Sequence, residues 1–311
     1  MDNLLNIDRL NKTQVEDIIY LASSLKKDFP HSTKDSPLKG KNVIFLFLES
    51  STRTKTSFNF ACSILGANVI DISPKSSSMT KGETFENTIK TISSYPADAL
   101  VLRSNENNDI NIAKNILDFP VINAGSGTKS HPTQALTDLM TLIEKGVSIE
   151  KLKISIVGDI EHSRVARSNM LLLGKMENRI RLVGPSTLIP SHIGEFGVEV
   201  YHDMLEGLKD VDVVMMLRLQ KERMDGGFIP SEREYFQRYG LDFNKLSYAK
   251  DDAIVMHPGP MNRGVEIDGD IADDVTRSVI QEQVEMGVAV RMAIMDLLAR
   301  NMKINHTKLL T

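Results

Sequence analysis

Seven short apolar runs alternate with stretches of helical periodicity along this chain of 311 residues. Each run has four to seven residues, which is the length of a buried strand. Such an alternation is typical of repeated βα units, and it predicts an α/β fold with two doubly wound, mainly parallel-sheet domains linked by interdomain helices. The runs are residues 43–48, 69–72, 99–102, 154–157, 180–183, 211–217 and 253–256.

The length of the chain also favours two domains, because 311 residues exceed what one hydrophobic core usually serves. One sheet is predicted within residues 40–125 and a second from Lys153 onward. Residues 132–144 carry apolar side chains on one helical face and predict a helix between the domains. A last helix, predicted over residues 276–300, has enough apolar residues to pack on both domains, which would make the first domain discontinuous.

Composition excludes several classes of protein. The chain has 37 basic and 41 acidic residues, a net charge of −4, which argues against a broad nucleic-acid surface but allows a local positive pocket for a small anion. Cys62 is the only cysteine, so we expect no internal disulfide and no thiolate zinc site, and we interpret Cys62 as a core residue. Without a signal sequence or a membrane-spanning run, the predicted location is cytoplasmic. We predict neither a metal nor a cofactor.

The first apolar run stops at Glu49 and is followed at once by a hydroxyl-rich turn that contains Ser51, Thr52, Arg53 and Thr54. If the run is a strand and a helix follows, this turn lies where free backbone N–H groups and the positive end of the helix dipole attract an anion. Arg53 adds a planar cation suited to phosphate oxygens. The turn therefore predicts a phosphate site, although an ordinary Ser/Thr helix cap with a solvated arginine explains the same residues.

Polar residues follow several other runs at the points where strands would end. Because ligands bind beyond the carboxyl ends of strands in open α/β sheets, these residues are candidates for the same site. A single arginine there is more often a surface residue than a ligand, but three of them together with Arg53 indicate anion binding. The candidates are Arg103, His131, Gln134, Arg164, Arg218, Gln220 and the sequence His257-Pro258-Gly259-Pro260.

Three of the polar candidates have competing interpretations. His131 and Gln134 offer neutral polar tips that could bind the oxygen and the nitrogen of a carbamoyl or carboxamide group. A loop histidine that bonds to neighbouring backbone is the alternative for His131. Lys81 lies in the polar stretch 76–83, which is either a solvated loop or a loop that reaches into a pocket.

Five motifs, taken in order and spacing, resemble the catalytic chains of the aspartate carbamoyltransferase family over residues 40–300. Each motif is weak alone, but the ordered set is highly specific. The resemblance implies condensation of carbamoyl phosphate with L-aspartate to N-carbamoyl-L-aspartate and phosphate, a step of pyrimidine biosynthesis. The motifs are Ser51-Thr52-Arg53-Thr54, Lys81-Gly82-Glu83-Thr84, His131-Pro132-Thr133-Gln134, Ser163-Arg164-Val165-Ala166-Arg167-Ser168-Asn169 and His257-Pro258-Gly259-Pro260.

The resemblance also implies a role for each matching residue. The phosphate would be held by Ser51, Thr52, Arg53 and Thr54. The carbamoyl oxygen would be held by Thr54, Arg103 and His131, and the carbamoyl nitrogen by Gln134 and the carbonyls near Gly259 and Pro260. Aspartate would be bound by Arg164, Arg218 and Gln220. Ser77 and Lys81 would enter the site of a neighbouring subunit in a homotrimer, Ser77 to bind carbamoyl phosphate and Lys81 to bind aspartate and take part in catalysis.

Further family features bear on domains and partners. The resemblance implies a carbamoyl phosphate-binding domain over residues 1–135, completed by a C-terminal helix at 285–305, and an aspartate-binding domain over residues 145–284. It leaves open a larger assembly with regulatory or dihydroorotase chains. Since carbamoyl phosphate is already activated, we expect no covalent intermediate and no obligatory protein base, with the departing phosphate as proton acceptor.

The chain departs from the family pattern at a few positions. Asn59 replaces a glutamate that often ends the first motif, and Lys55 stands where arginine is common. Ser104 and Asn105 follow Arg103 in place of histidine and proline, which puts the local support of Arg103 in question. Ser126 stands in a predicted loop, residues 123–130, where aspartate is common.

Two other functions compete with aspartate carbamoyl transfer. An ornithine carbamoyltransferase shares the phosphate motif, but that branch usually has His-Cys-Leu-Pro at the position of His257, and its cationic substrate would require acidic partners. Arg164, Arg218 and Arg223 favour a dicarboxylate instead. A non-catalytic relic of the fold is the second alternative. It should have lost Lys81, Arg103 or His131 first, because these residues serve the transition state more than the fold.

Overall fold

The computed structural model describes residues 1–27, 36–73, 82–220 and 231–308, and it divides into two compact units. The first unit runs to Met140 and resumes at Val284, and the second extends from Thr141 to Gln283. Two helices therefore contain the points at which the chain passes from one unit to the other. They are α5, Pro132–Glu144, and α11, Ile280–Lys308.

The first unit is built on a four-stranded parallel sheet with the strand order β2-β1-β3-β4. Its strands are β1 (Asn42–Phe47), β2 (Asn68–Ile72), β3 (Ala99–Ser104) and β4 (Val121–Ser126). Its helices, besides α5 and α11, are α1 (Lys12–Lys26), α2 (Thr52–Ile64), α3 (Phe85–Ser93) and α4 (Asp109–Ile116).

The second unit is built on a five-stranded parallel sheet with the strand order β7-β6-β5-β8-β9. Its strands are β5 (Lys153–Val157), β6 (Arg179–Val183), β7 (Glu199–Tyr201), β8 (Val213–Met216) and β9 (Ile254–Met256). Its helices are α6 (Arg164–Lys175), α7 (Met204–Leu208), α8 (Glu232–Tyr239), α9 (Phe243–Leu246) and α10 (Gly269–Ala272), and two 3₁₀ turns lie at Ser186–Leu188 and Ile193–Phe196.

The strand order reverses once in each sheet. In the first unit the chain moves from β1 outward to β2, then returns across β1 to β3 and β4. In the second unit it moves from β5 to β6 and β7, then returns across β5 to β8 and β9. At such a reversal the loops after two neighbouring strands leave the sheet in opposite directions, and a crevice opens between them. The crevices are expected beyond the carboxyl ends of β1 and β3, and of β5 and β8.

The predicted α/β class is confirmed, and each of the seven apolar runs contains a strand. The helix predicted over residues 132–144 is also confirmed, as α5. Strand β7 was not predicted, because this three-residue strand lies at the sheet edge and is mostly exposed, so no apolar run marks it.

Two boundaries of the sequence prediction were wrong. Residues 123–126 were expected in a loop but belong to β4, since the N-terminal segment pairs beside them, with the Asn123 amide donating to the Leu4 carbonyl at 2.8 Å. The last helix was expected from residue 276 but begins at Ile280. Before it, the amide and hydroxyl of Thr276 both donate to the Asp274 carboxylate, which forms a turn instead of a helix.

The core of the first unit includes the α2 face that packs on the sheet. Phe58 and Cys62 of α2 are fully buried, and the ring of Phe58 meets that of Phe45 edge-on at 6.2 Å. Burial raises the pKa of the Cys62 thiol to about 12, so the thiol stays protonated at neutral pH. The interpretation of Cys62 as a core residue is confirmed.

Gly158 follows β5 directly, and no larger residue fits its position. Its φ is +126°, a region that side chains disfavour. A Cβ atom would also lie 3.1 Å from the carbonyl oxygen of Leu217 and 3.1 Å from the hydroxyl of Tyr235. Gly158 therefore allows the ends of β5 and β8 and the helix α8 to approach one another closely.

We predict that Gly158→Ala lowers the free energy of unfolding by about 2–4 kcal/mol, since backbone strain and a tight contact add. Gly146→Ala is the matched control, because Gly146 also has a positive φ, +73°, but nothing lies within 4 Å of its Cβ position. Urea unfolding followed by circular dichroism measures both variants. Equal losses in the two variants would show that the contacts around Gly158 have no effect on stability.

Candidate active site

Hydroxyl groups and Arg53 surround the N-terminus of α2, beyond the end of β1. Ser51 is the N-cap residue, and its hydroxyl accepts a hydrogen bond from the Thr54 amide at 3.3 Å. The first turn of α2 contains no acidic residue, so no carboxylate within it offsets the positive end of the helix dipole. Thr52 and Arg53 are exposed beside it. The residues that cap the helix are thus the residues of the predicted anion site, and the two interpretations do not exclude each other.

Three buried polar side chains from separate elements meet next to this helix end. The Nε2 atom of His131 lies 3.5 Å from the Thr54 hydroxyl and 3.5 Å from Nη1 of Arg103. Thr54 belongs to α2, Arg103 to β3, and His131 to the loop before α5. All three residues are less than a tenth exposed. Donors that converge in a buried site can stabilise negative charge that develops on a carbonyl oxygen, and Nε2 of His131 donates there when it carries the ring proton.

Arg103 is held in place by groups on both sides. Its Nη1 donates to the carbonyl of Ala124 at 3.3 Å, and its Nη2 donates to Oε1 of Glu49 at 3.2 Å. Sequence analysis assigned Glu49 no role, although Glu49 marks the abrupt end of the first apolar run, which is the one signal that could have identified it. The carboxylate of Glu49 fixes the guanidinium and offsets part of its charge.

The departures from the family pattern have local explanations. Ser104 donates to the carboxylate of Asp109 at 2.5 Å and accepts from the Glu106 amide. These two hydrogen bonds fix the loop after Arg103. Burial raises the pKa of Asp109, and the bond from Ser104 lowers it by less. Lys55 forms an ion pair with Asp71 at 2.6 Å, and Asn59 is exposed. The support of Arg103 that sequence analysis questioned is present.

The amide of Gln134 has a defined orientation. Its Nε2 donates to Oδ1 of Asp138, one helical turn further along α5, at 2.8 Å. Asp138 is fully buried and, as a carboxylate, can only accept hydrogen bonds. The carbonyl oxygen of Gln134 consequently points away from Asp138 and presents an acceptor. An acceptor at this position suits an N–H group of a ligand.

In the second unit, Asp159 connects two of the loops at the strand reversal. Its Oδ1 accepts from the backbone amide of His162 at 3.1 Å and lies 2.8 Å from Nδ1 of the same residue. Its Oδ2 accepts from the amide of Gln220 at 3.1 Å. Asp159 is fully buried and was given no role by sequence analysis, although its place after Gly158 at a strand end could have indicated one.

The candidate carboxylate-binding residues lie on these two loops. Arg164 is the first residue of α6 and is buried, with Ser163 as the N-cap. Arg218 follows β8, and its Nη2 donates to Oε1 of Gln220 at 3.0 Å. Because Asp159 bonds to both loops, it sets the positions from which the two arginines extend. Within this unit, two guanidinium groups and a side-chain amide therefore lie on or next to loops that Asp159 connects.

His257 organises the loop after β9. The Gly259 amide donates to Nδ1 of His257 at 2.8 Å, so Nδ1 carries no proton and Nε2 does. Nε2 in turn faces Oε1 of the fully buried Glu266 at 3.3 Å. Gly259 and Pro260 remain at least partly exposed, with their backbone held by this histidine.

Three residues that sequence analysis named, Ser77, Lys81 and Arg223, lie outside the described residues. Within residues 1–27, 36–73, 82–220 and 231–308, no three His, Cys, Asp or Glu side chains are grouped as a metal site would require. Over the same ranges, no helix combines the length and the apolar character needed to cross a membrane.

Two family models match this chain along nearly its whole length. Residues 2–144 match the aspartate/ornithine carbamoyltransferase carbamoyl-P binding domain, and residues 150–298 match the aspartate/ornithine carbamoyltransferase Asp/Orn binding domain. The chain is 57% identical over 302 residues to the aspartate carbamoyltransferase catalytic subunit of Ruegeria pomeroyi, covering 97% of each chain. It is 57% identical over 304 residues to that of Dinoroseobacter shibae, covering 97% of this chain and 96% of the relative.

Solved structures with the same fold include both branches of these transferases. Aspartate transcarbamoylase from Trypanosoma cruzi, in complex with N-(phosphonacetyl)-L-aspartic acid, is similar with a TM-score of 0.85 and 30% identity, covering 95% of each chain. Ornithine carbamoyltransferase from Pyrococcus furiosus is similar with a TM-score of 0.84 and 27% identity, covering 95% of this chain and 96% of that one.

Proposed function

The chain belongs to the aspartate/ornithine carbamoyltransferase family, and from this membership we infer that it condenses carbamoyl phosphate with L-aspartate. The products are N-carbamoyl-L-aspartate and phosphate, in a step of pyrimidine biosynthesis. The observation that carries the assignment is the meeting of Thr54, Arg103 and His131 beside the N-terminus of α2. That arrangement combines a phosphate site with donors for an adjacent carbonyl oxygen, as carbamoyl phosphate requires.

We propose that the first unit binds carbamoyl phosphate. Ser51, Thr52, Arg53 and Thr54 hold the phosphate through the helix end, their hydroxyls and the guanidinium. Thr54, Arg103 and His131 hold the carbamoyl oxygen, and Gln134 accepts from the carbamoyl nitrogen. The same nitrogen is also assigned to the carbonyls of Gly259 and Pro260, a role that stays a prediction. Support comes from the burial of the three donors and from the orientation of the Gln134 amide.

We propose that the second unit binds L-aspartate through Arg164, Arg218 and Gln220. Two arginines suit the two carboxylates of a dicarboxylic amino acid, and Asp159 gives their loops fixed positions. A cationic side chain such as that of ornithine would be repelled by the same arginines. The fold by itself is shared with an ornithine carbamoyltransferase and does not discriminate, so the charge of these residues is the argument for aspartate.

The chemistry needs orientation and charge stabilisation more than a reactive side chain. The aspartate amine attacks the carbonyl carbon, and negative charge moves to the carbonyl oxygen, where Thr54, Arg103 and His131 donate. The carbon–oxygen bond to phosphate then breaks, and the departing phosphate takes the proton that the amine loses. Fixed donors in a buried site lower the barrier because they are already oriented before the charge develops.

We propose that the protein acts as a cytoplasmic homotrimer in which Ser77 and Lys81 complete the site of a neighbouring subunit. The relatives support an assembly, because those of Ruegeria pomeroyi and Dinoroseobacter shibae bear the names of catalytic subunits. A larger assembly with regulatory or dihydroorotase chains is compatible with those names.

Purified protein supplied with carbamoyl phosphate and L-aspartate is expected to form carbamoyl aspartate and phosphate in equal amounts, as measured by a colorimetric ureido assay. L-Ornithine in place of aspartate should give no citrulline. Citrulline as the main product would move the chain to the ornithine branch. Binding of N-(phosphonacetyl)-L-aspartate without any turnover would identify a non-catalytic relic.

His131→Ala is expected to lower kcat by on the order of 10²–10³, since His131 stabilises charge that is largest in the transition state. The Kd for carbamoyl phosphate, measured by calorimetry, should rise less than tenfold. His192→Ala is the control, because the His192 side chain is 85% exposed at the N-cap of a 3₁₀ turn in the second unit. A kcat within twofold of wild type would reject the role of His131.

Mixing inactive Arg53→Ala protein with inactive Lys81→Ala protein should restore activity after subunit exchange. In a randomly mixed trimer with shared sites, about a quarter of the sites combine an intact Arg53 with an intact Lys81. Arg53→Ala mixed with Arg103→Ala is the matched control and should show no rescue, because one chain supplies both residues. If verified exchange restored nothing in the first mixture, Lys81 would not act across subunits.

A further inference from the structure

A buried cation lies behind the carbamoyl phosphate residues of the first unit. Arg291 of α11 is 3% exposed, and its guanidinium stacks over the ring of Phe58 at 5.2 Å. Its Nη1 donates to the carbonyl of Gly287 at 2.7 Å, and its Nη2 to the hydroxyl of Thr133 at 3.4 Å. Phe58 belongs to α2, and Thr133 lies between His131 and Gln134. Arg291 thus contacts both helices that carry the proposed ligands.

A buried charge in this position costs free energy of folding. Removing a guanidinium from water carries a large desolvation penalty, and apolar residues of similar volume often replace buried charges without loss of stability. Burial lowers the pKa of Arg291 to about 10, so it remains a cation at neutral pH. The acidic neighbour that favours this cation is Asp138.

Gly287 makes room for the cation. A Cβ atom at this position would lie 2.5 Å from Nη1 of Arg291, and the next nearest atom is a methyl carbon of Thr137 at 3.7 Å. A side chain at residue 287 would therefore displace the guanidinium without touching the proposed ligands. The local backbone is an ordinary helix, so alanine is compatible with it.

Arg291 acts on Gln134 through the first turn of α5. Its Nη2 donates to the hydroxyl of Thr133, the residue before Gln134, and Asp138 accepts from the Gln134 NH₂ group one turn further on. The carbonyl oxygen of Gln134 is therefore turned away from Asp138. If the guanidinium were displaced, Thr133 would lose its bond, and the turn that carries the Gln134 amide would be free to shift.

We propose that Arg291 is a positioning residue for substrate specificity, which holds the Gln134 carbonyl oxygen as the acceptor that distinguishes a carbamoyl NH₂ from a methyl group. The inference rests on the proposed function, and it concerns selection of the acyl group, not binding of phosphate. Carbamoyl phosphate and acetyl phosphate differ only in that NH₂ or CH₃ group, so the ratio of their affinities reports on the Gln134 acceptor.

The test compares the Kd of carbamoyl phosphate, acetyl phosphate and inorganic phosphate by calorimetry. Wild-type protein should bind carbamoyl phosphate about tenfold or more tightly than acetyl phosphate, which corresponds to the free energy of one hydrogen bond. In Gly287→Ala and in Asp138→Asn, carbamoyl phosphate should bind more weakly, so that the ratio of the two affinities falls close to one. The affinities for acetyl phosphate and for inorganic phosphate should change less than threefold. Arg291→Lys should retain more of the preference than Arg291→Met.

The controls separate positioning from stability. Gly174→Ala in α6 is the matched helix substitution, because nothing lies within 4 Å of its Cβ position, and it should leave all three affinities unchanged. Gly287→Ala gains helix propensity but displaces a buried guanidinium, so its urea midpoint is measured as well, and all affinities are compared under conditions in which every variant is folded. Should Arg291→Met fail to fold, Gly287→Ala and Asp138→Asn decide the question.

Two results would overturn the inference. One is an unchanged ratio of carbamoyl phosphate to acetyl phosphate affinity in Gly287→Ala, and the other is an equal weakening of all three ligands, which would indicate a general loosening of the unit. A wild-type protein that forms no carbamoyl aspartate refutes the proposed function itself, and this outcome is visible before any variant is made.

Discussion

The reversal of strand order within each parallel sheet is the constraint on which the rest of this structure depends. When a chain adds strands outward in one direction and then returns past its first strand, the loops after two neighbouring strands leave the sheet in opposite directions. In the first unit one is the loop after β1, which leads to the N-terminus of α2. The other is the loop after β3, the strand that contains Arg103. In the second unit they follow β5 and β8 and carry Asp159 and Arg218. The topology of each sheet thus decides where polar groups can gather beside an apolar core.

The charges at these positions show how a protein with a net charge of −4 can still present local positive charge to a ligand. The first turn of α2 is free of acidic residues, and Arg103 is braced by Glu49 and the Ala124 carbonyl. Local arrangement outweighs the overall balance, because exposed charges further than about 10 Å away are largely screened. The donors are also fixed by their packing, so little reorganisation is needed when charge develops on a ligand.

Seven apolar runs located seven of the nine described strands, and the polar residues near strand ends supplied the ligand candidates. Buried parallel strands are short apolar runs, and residues directly after such runs lie at the same edge of a sheet, so Arg103, His131 and Arg218 could be located from local pattern. The bracing residues could not be located that way. Glu49 is 54 residues from Arg103, and Thr133 is 158 residues from Arg291. Such pairs are set by the tertiary fold, and one sequence carries no local signal for them.

The first unit is made of two separated parts of the chain, and this has a consequence for biosynthesis. Helix α11 leaves the ribosome after nearly all of the second unit. Because domains fold in order as they emerge, residues 1–140 are synthesised long before α11. The surface that α11 will cover stays open to solvent until then. Arg291 reaches Phe58 and Thr133 only after the second unit has been synthesised. The first unit is therefore completed after the second has emerged, and a product truncated before α11 would lack that helix.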